Sequence, residues 1–175
     1  MGDSIMPVII NGTTGAVTGL AQLPDSAMSA GSIIQVQQTL WKTHTSFTTA
    51  SSMTDVGLSC TITPSSTSSN ILCHFGLRLC TASAARYAIA LVRGSTTLDI
   101  GDTGNSVADR GLIDGTMDGD RGAAMPNSFY LDTGISTTSA TTYKLQIQVS
   151  SNFTINYRAS SSSGCSFMTL MEVAG

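Results

Sequence analysis

From residue 31 onward, apolar and polar positions alternate with a period of two, as they do in strands that bury one face. The clearest run is TYKLQIQV, in which Tyr143, Leu145, Ile147 and Val149 point one way and Lys144, Gln146 and Gln148 the other. FTINYR repeats the pattern with Phe153, Ile155 and Tyr157, and the short Ser151-Asn152 connection between the two runs predicts a hairpin. Leu58, Cys60 and Ile62 share a face in GLSCTIT, as do Ile71, Cys73, Phe75 and Leu77 in NILCHFGL. Pro64 and the serines after it supply the turn between them, which predicts a second hairpin. Further strands are predicted over residues 32–40, 87–93, 128–131 and 166–173. The alternation assigns Leu58, Ile62, Ile71, Leu91, Leu145, Ile147, Val149, Phe153 and Ile155 to the core. About eight strands without an amphipathic helical stretch predict an all-β fold, an antiparallel β-sandwich or jelly roll with an extended N-terminal arm.

Two segments depart from this rhythm. Residues 1–30 are rich in glycine and hold no aromatic residue, so they read as an arm, with residues 31–175 as the sandwich. The short apolar groups of the arm, Val8, Ile9, Ile10, Val17 and Leu20, suit strand-like pairing or docking in a groove of another chain. Residues 100–126 hold Asp102, Asp109, Asp114, Asp118 and Asp120 together with six glycines, and read as one long exposed excursion. Trp41, Phe47 and Met53 lie in a Ser/Thr-rich stretch without clean alternation, which makes them candidates for a subunit interface.

Composition narrows the function. Serine and threonine fill 49 of 175 positions, and eight Lys+Arg against eleven Asp+Glu leave a net charge of -3. That balance disfavours a nucleic-acid reader and a basic membrane-binding patch. No apolar run reaches the length of a bilayer span, and the first residues lack the basic and apolar regions of a signal peptide, so synthesis in a cytoplasm is expected. Gly2-Asp3-Ser4 matches part of a hydrolase nucleophile block, but no later DxxH serves it and no GxSxG elbow occurs. One glutamate and two histidines leave little equipment for acid–base work, so neither enzymatic activity nor a cofactor is expected. The acidic DGTMDGD stretch offers oxygen ligands, but its spacing fits no EF-hand loop, and a solvated turn is the favoured reading. His74, inside a strand pattern, reads as a sheet-face histidine, and Cys60 and Cys73 as reduced, buried thiols.

The ordered segments GSIIQVQQT, TDVGLSCTITPSSTSSNIL, ALVRGSTTLDIGD, TTYKLQIQV and FMTLMEVAG resemble a family of small bacteriophage virion proteins, common among tail-fibre and head-fibre proteins of marine and freshwater phages. The resemblance runs through residues 31–175, and PVIINGTTGAVTGL resembles the N-terminal start of such fibres. It implies a β-rich homotrimer on the virion surface, held to a capsid or tail protein by its N-terminal portion, without enzymatic activity. At this length a short capsid fibre, decoration protein or tip module is expected, with a tail-fibre adhesin recognising host surface polysaccharide as the alternative. Apolar strands on both faces of a single sandwich leave surface to hide, which agrees with a trimer.

Overall fold

A computed structural model of the chain describes residues 9–10, 17–18, 28–48, 50–98, 111–117, 123–158 and 162–175. Its regular structure among these residues is strand, and every ladder is antiparallel. In the arm, β1 (Ile9–Ile10) pairs with β2 (Val17–Thr18). Then come β3 (Ile33–Trp41), β4 (Thr45–Phe47), β5 (Ala50–Ile62), β6 (Asn70–Gly76), β7 (Leu79–Thr81), β8 (Ala85–Arg93) and β9 (Thr96–Leu98). The remainder is β10 (Ile113–Met117), β11 (Ala123–Ala124), β12 (Asn127–Asp132), β13 (Thr141–Val149), β14 (Phe153–Ile155), β15 (Tyr157–Arg158), β16 (Ser162–Ser163) and β17 (Ser166–Val173).

Two layers enclose the core. One is the sheet β10-β8-β13-β5, with β9 also on β8; the other is β12-β6-β17-β3, which runs on into β11-β7-β14-β4. All nine core residues assigned from the alternation are buried, together with Tyr143, Phe75, Met168 and Leu170. Each such large side chain contributes roughly 1.5–3 kcal/mol through removal from water.

The two predicted hairpins are not hairpins. β5 pairs with β13, whereas β6 pairs with β12 and β17, so residues 63–69 carry the chain from one layer to the other. β13 and β14 likewise lie in opposite layers, joined through residues 150–152. Period-two alternation reports which face of a strand is buried, but both layers bury a face against the same core. A true hairpin joins β8 to β9 over Gly94-Ser95. The 100–126 segment is not wholly a loop either, because β10 adds to the edge of β8 and β11 to the edge of β7.

Gly57 explains an irregularity in β5. Opposite β13 the register slips between the Lys144–Ser59 and Gln146–Asp55 pairs, and Gly57 sits in this bulge with φ 99, a conformation that L side chains resist. A Cβ there would also stand 3.3 Å from the Trp41 ring, so the glycine makes room for the indole.

The alternation in FTINYR ends at Asn156, whose φ of 62 turns the chain out of β14. β14 ends here in the strand lane that β17 then occupies, and the buried Asn156 side chain ties the seam together. Its Nδ2 donates to the carbonyls of Trp41 and Thr43 at 2.9 and 3.1 Å, and its Oδ1 accepts from Ser166 Oγ at 2.7 Å. Ser166 Oγ in turn accepts from the Arg78 backbone N–H. Asn156→Ala is expected to cost about 2 kcal/mol through these lost bonds, read as a lower urea midpoint at unchanged m-value. Asn156→Gly, which relieves the backbone but restores no hydrogen bond, should remain clearly less stable than the wild type.

Two buried carboxylates fasten the end of the sandwich where β12 and β17 finish. Asp132 accepts both contacts from Arg93 Nη1, at 2.8 and 2.7 Å, the Tyr143 hydroxyl at 2.7 Å and the Gly134 N–H at 3.0 Å. It thereby links β12 of one layer to β8 and β13 of the other. Glu172, the only glutamate of the chain, accepts from Gln35 Nε2, from Ser65 N–H and Oγ, and from Ser69 Oγ, all at 2.6–2.7 Å. Two serines of the SSTSS run are therefore partners of a buried charge as well as turn residues.

Candidate interaction surface

An antiparallel sheet that packs one face on a core ordinarily turns polar side chains to water on the other. The layer containing β13 does this in part. On its outer face Asp55 accepts Lys144 Nζ at 2.8 Å and Gln146 Nε2 at 2.7 Å, and Thr61 bonds Thr142 at 2.8 Å. The hydrogen bonds from Lys144 and Gln146 hold the Asp55 carboxyl below its ordinary pKa, with the lysine charge adding to them.

The other layer does the opposite. Outward positions of β12-β6-β17-β3 align across the ladders as Leu131, Leu72, Met171 and Val36 in one row, and as Phe129, His74, Thr169 and Gln38 in the next. A third row sets Phe167 between Gly76 and Leu40, with Met125 beside it. Ile33, Val36, Leu40, Met125, Phe129 and Leu131 are 41–59% exposed. No Asp, Glu, Lys or Arg stands among these aligned positions.

The aromatic centre of this face is ordered by its own contacts. The His74 ring stacks on Phe129 with centroids 3.9 Å apart and planes 10° from parallel, and Phe167 meets the imidazole edge-on at 5.0 Å. Gly76 permits the close approach of Phe167, since a Cβ there would lie 2.7 Å from that ring. His74 is thus a sheet-face residue, as its place in the alternation predicts.

The interface candidates read from the sequence lie elsewhere. Trp41 and Phe47 are half-buried and pack against the core from its edge, and Met53 is half-buried on β5. Of the arm residues, Ile10 pairs with Val17 and Ile9 with Thr18, while Val8 and Leu20 lie outside the described residues. Asp114 is an exposed strand residue of β10, paired with Ala88, and not part of a loop. Asp102, Asp109, Asp118 and Asp120 lie outside the described residues. Among the described residues no group of three or more His, Cys, Asp or Glu side chains is placed to hold a metal ion.

No protein-family model and no curated protein matches the chain.

Cys60, Cys73 and Cys80 are buried and Cys165 is exposed, and none of the four is in a disulfide. Burial pushes the Cys73 thiol far above its ordinary pKa, with the Asp132 charge acting in the same direction, so it behaves as an apolar core group. At the Arg93 end of the sandwich an open groove of about 520 Å³ is lined by Arg93, Ile135, Ser136, Thr137, Thr141 and Thr142, together with Ala140 and two glycines. It presents hydroxyls and one guanidinium and carries no aromatic ring.

Proposed function

We propose that the chain is a non-enzymatic structural protein of a bacteriophage particle, a short homotrimeric fibre or decoration protein. Residues 31–175 form its exposed sandwich, and residues 1–30 attach it to a capsid or tail protein. The observation that carries this reading is the uncharged, apolar outer sheet, a surface suited to being covered in an assembly. The ordered resemblance over residues 31–175 supplies the phage particle as the setting. A Ser/Thr-rich chain with only eight Lys+Arg offers little nonspecific attraction, which suits a passive role on the particle surface after synthesis in the host cytoplasm.

The arm is short of large apolar side chains, so one copy would bind weakly, and several arms on one oligomer gain by effective concentration. With residues 9–18 folded back by the β1–β2 pairing, the other roughly twenty residues, at about 3.3 Å each when extended, reach on the order of 60 Å, ample for engaging a neighbouring protein. Deleting residues 1–30 is expected to leave a folded, soluble domain that is missing from purified particles, measured by circular dichroism and by quantitative mass spectrometry of the virion. Incorporation at full stoichiometry would place the attachment in the sandwich instead.

The hydroxyl-lined groove favours a second reading, a tail-fibre adhesin that holds host surface polysaccharide. The two separate on deletion of the whole gene. Particles that assemble with weakened heads but adsorb normally support the structural role, whereas loss of adsorption alone supports the adhesin.

A further inference from the structure

We propose that the outer face of the β12-β6-β17-β3 sheet is the contact between copies of this chain, an inference that rests on the multi-copy reading above. Three observations select a second copy as the occupant. First, the aligned positions of this face carry no carboxylate, ammonium or guanidinium, so around a three-fold axis the β12 side of one copy can meet the β3 side of the next without the like-charge repulsion that a charged face would suffer. Second, the two layers differ: the outer face around β13 carries the Asp55, Lys144 and Gln146 network, while this one carries Phe129, Leu131, Val36 and Leu40. One side of the sandwich is built for water and the other for a dry contact.

The third observation is size. Four strands of about seven residues give on the order of 400 Å² in projection, and side-chain relief raises the accessible area further. A stable interface takes about 800 Å² from each partner, so this face supplies on the order of half or more of one. β12 and β3 are the two edge strands of this face. Because an exposed edge strand with apolar side chains is an aggregation hazard, a closed assembly that covers β12 also removes that hazard. Phe129 is the natural anchor: stacking on His74 fixes its rotamer in the single chain, so little conformational freedom remains to be lost on association.

The test uses the full chain and sedimentation velocity over micromolar concentrations. The wild type is expected to sediment as a trimer, and Phe129→Lys/Leu131→Lys as a monomer with unchanged circular dichroism, self-association being weakened by roughly 30-fold or more. Val36→Lys, on the opposite edge strand, should act in the same direction and provides the test if the double variant fails to fold. Thr61→Lys, on the outer face of the other layer, should leave the trimer intact. If the β12 and β3 variants stay trimeric, this face is not the contact, while the multi-copy reading stands. Dissociation by Met53→Lys alone would then move the contact to β5. If the wild type is itself a stable monomer, both the contact and the multi-copy reading are overturned.

Discussion

Asp132→Ala is expected to destabilise the sandwich by about 3–5 kcal/mol, the scale for removing one partner of a buried ion pair. The carboxylate is buried and has four hydrogen-bond contacts, two of them to a guanidinium nitrogen. Without it the Arg93 charge, only partly open to solvent, and the fully buried Tyr143 hydroxyl both lose their partner. For a domain of this size the loss corresponds to a fall in melting temperature on the order of 10 °C. Tyr143→Phe removes one hydrogen bond and leaves the ion pair, so its cost should be nearer 1–2 kcal/mol. Because the two sites share a bond, the double variant should lose less than the sum of the singles, and strict additivity would show that the phenol and carboxylate are not coupled. The same contacts shape the alkaline limb. Burial first, then the hydrogen bond to Asp132 and its charge, push the Tyr143 pKa well up in the folded state. Above the ordinary tyrosine value near 10, the unfolded chain therefore releases this proton while the folded chain holds it, and stability falls with rising pH.

Glu172→Gln is expected to cost about 3 kcal/mol, and its effect should depend on pH in the acid range. All four contacts to Glu172 are donors, at 2.6–2.7 Å. A glutamine keeps the shape but turns an NH₂ toward donors that need an acceptor. Burial raises the carboxyl pKa, but the bonds from Ser69, Gln35 and Ser65 outweigh it, and the folded-state value lies below the ordinary one. As pH falls, the unfolded chain therefore takes up this proton first. The stabilisation by Glu172 is complete above the unfolded value of about 4.3 and is lost as pH falls through the folded-state value. The gap between wild type and variant, followed by urea denaturation, should be widest near neutrality and narrow below about pH 4.5. A gap that stays constant down to pH 3 would mean that the charge of Glu172 contributes nothing beyond its shape.

These two carboxylates also show where sequence reading stops. Leu145, Ile147 and Val149 announce their burial because alternation is a local property of one strand. The partners of Glu172 come from residues 35, 65 and 69, more than a hundred positions away, and nothing local distinguishes Ser65 and Ser69 from the other serines of the chain. The hairpins over Pro64 and over Ser151-Asn152 fail for a related reason: consecutive strands with the same buried parity can lie side by side or face each other across the core. The outer sheet face was partly legible. SFMTLMEV is apolar at both parities, with Met168 and Leu170 inside and Phe167 and Met171 outside, and this doubling marked excess apolar surface. Register placed the surface on Phe129, Leu131, Val36 and Leu40, because only the pairing of β12 with β6 and of β17 with β3 lines these residues up. The indole of Trp41, prominent in the sequence, is instead accommodated over Gly57.

The chain enters the sandwich at Gly31, whose N–H donates to the carbonyl of Ala174, while the Ala174 N–H donates back to Ser32. Segments leading into and out of the domain thus share one end, together with the Asp132 and Glu172 knots. The connections at residues 82–84 and 150–152 lie at the other end, where Ser150 and Ser151 approach Arg86 and Ser83. A peptide epitope grafted into residues 82–84 would therefore project from the end opposite Gly31, off both strand edges and off the apolar sheet. That geometry makes the domain a scaffold on which an inserted segment and the chain's point of entry occupy opposite poles.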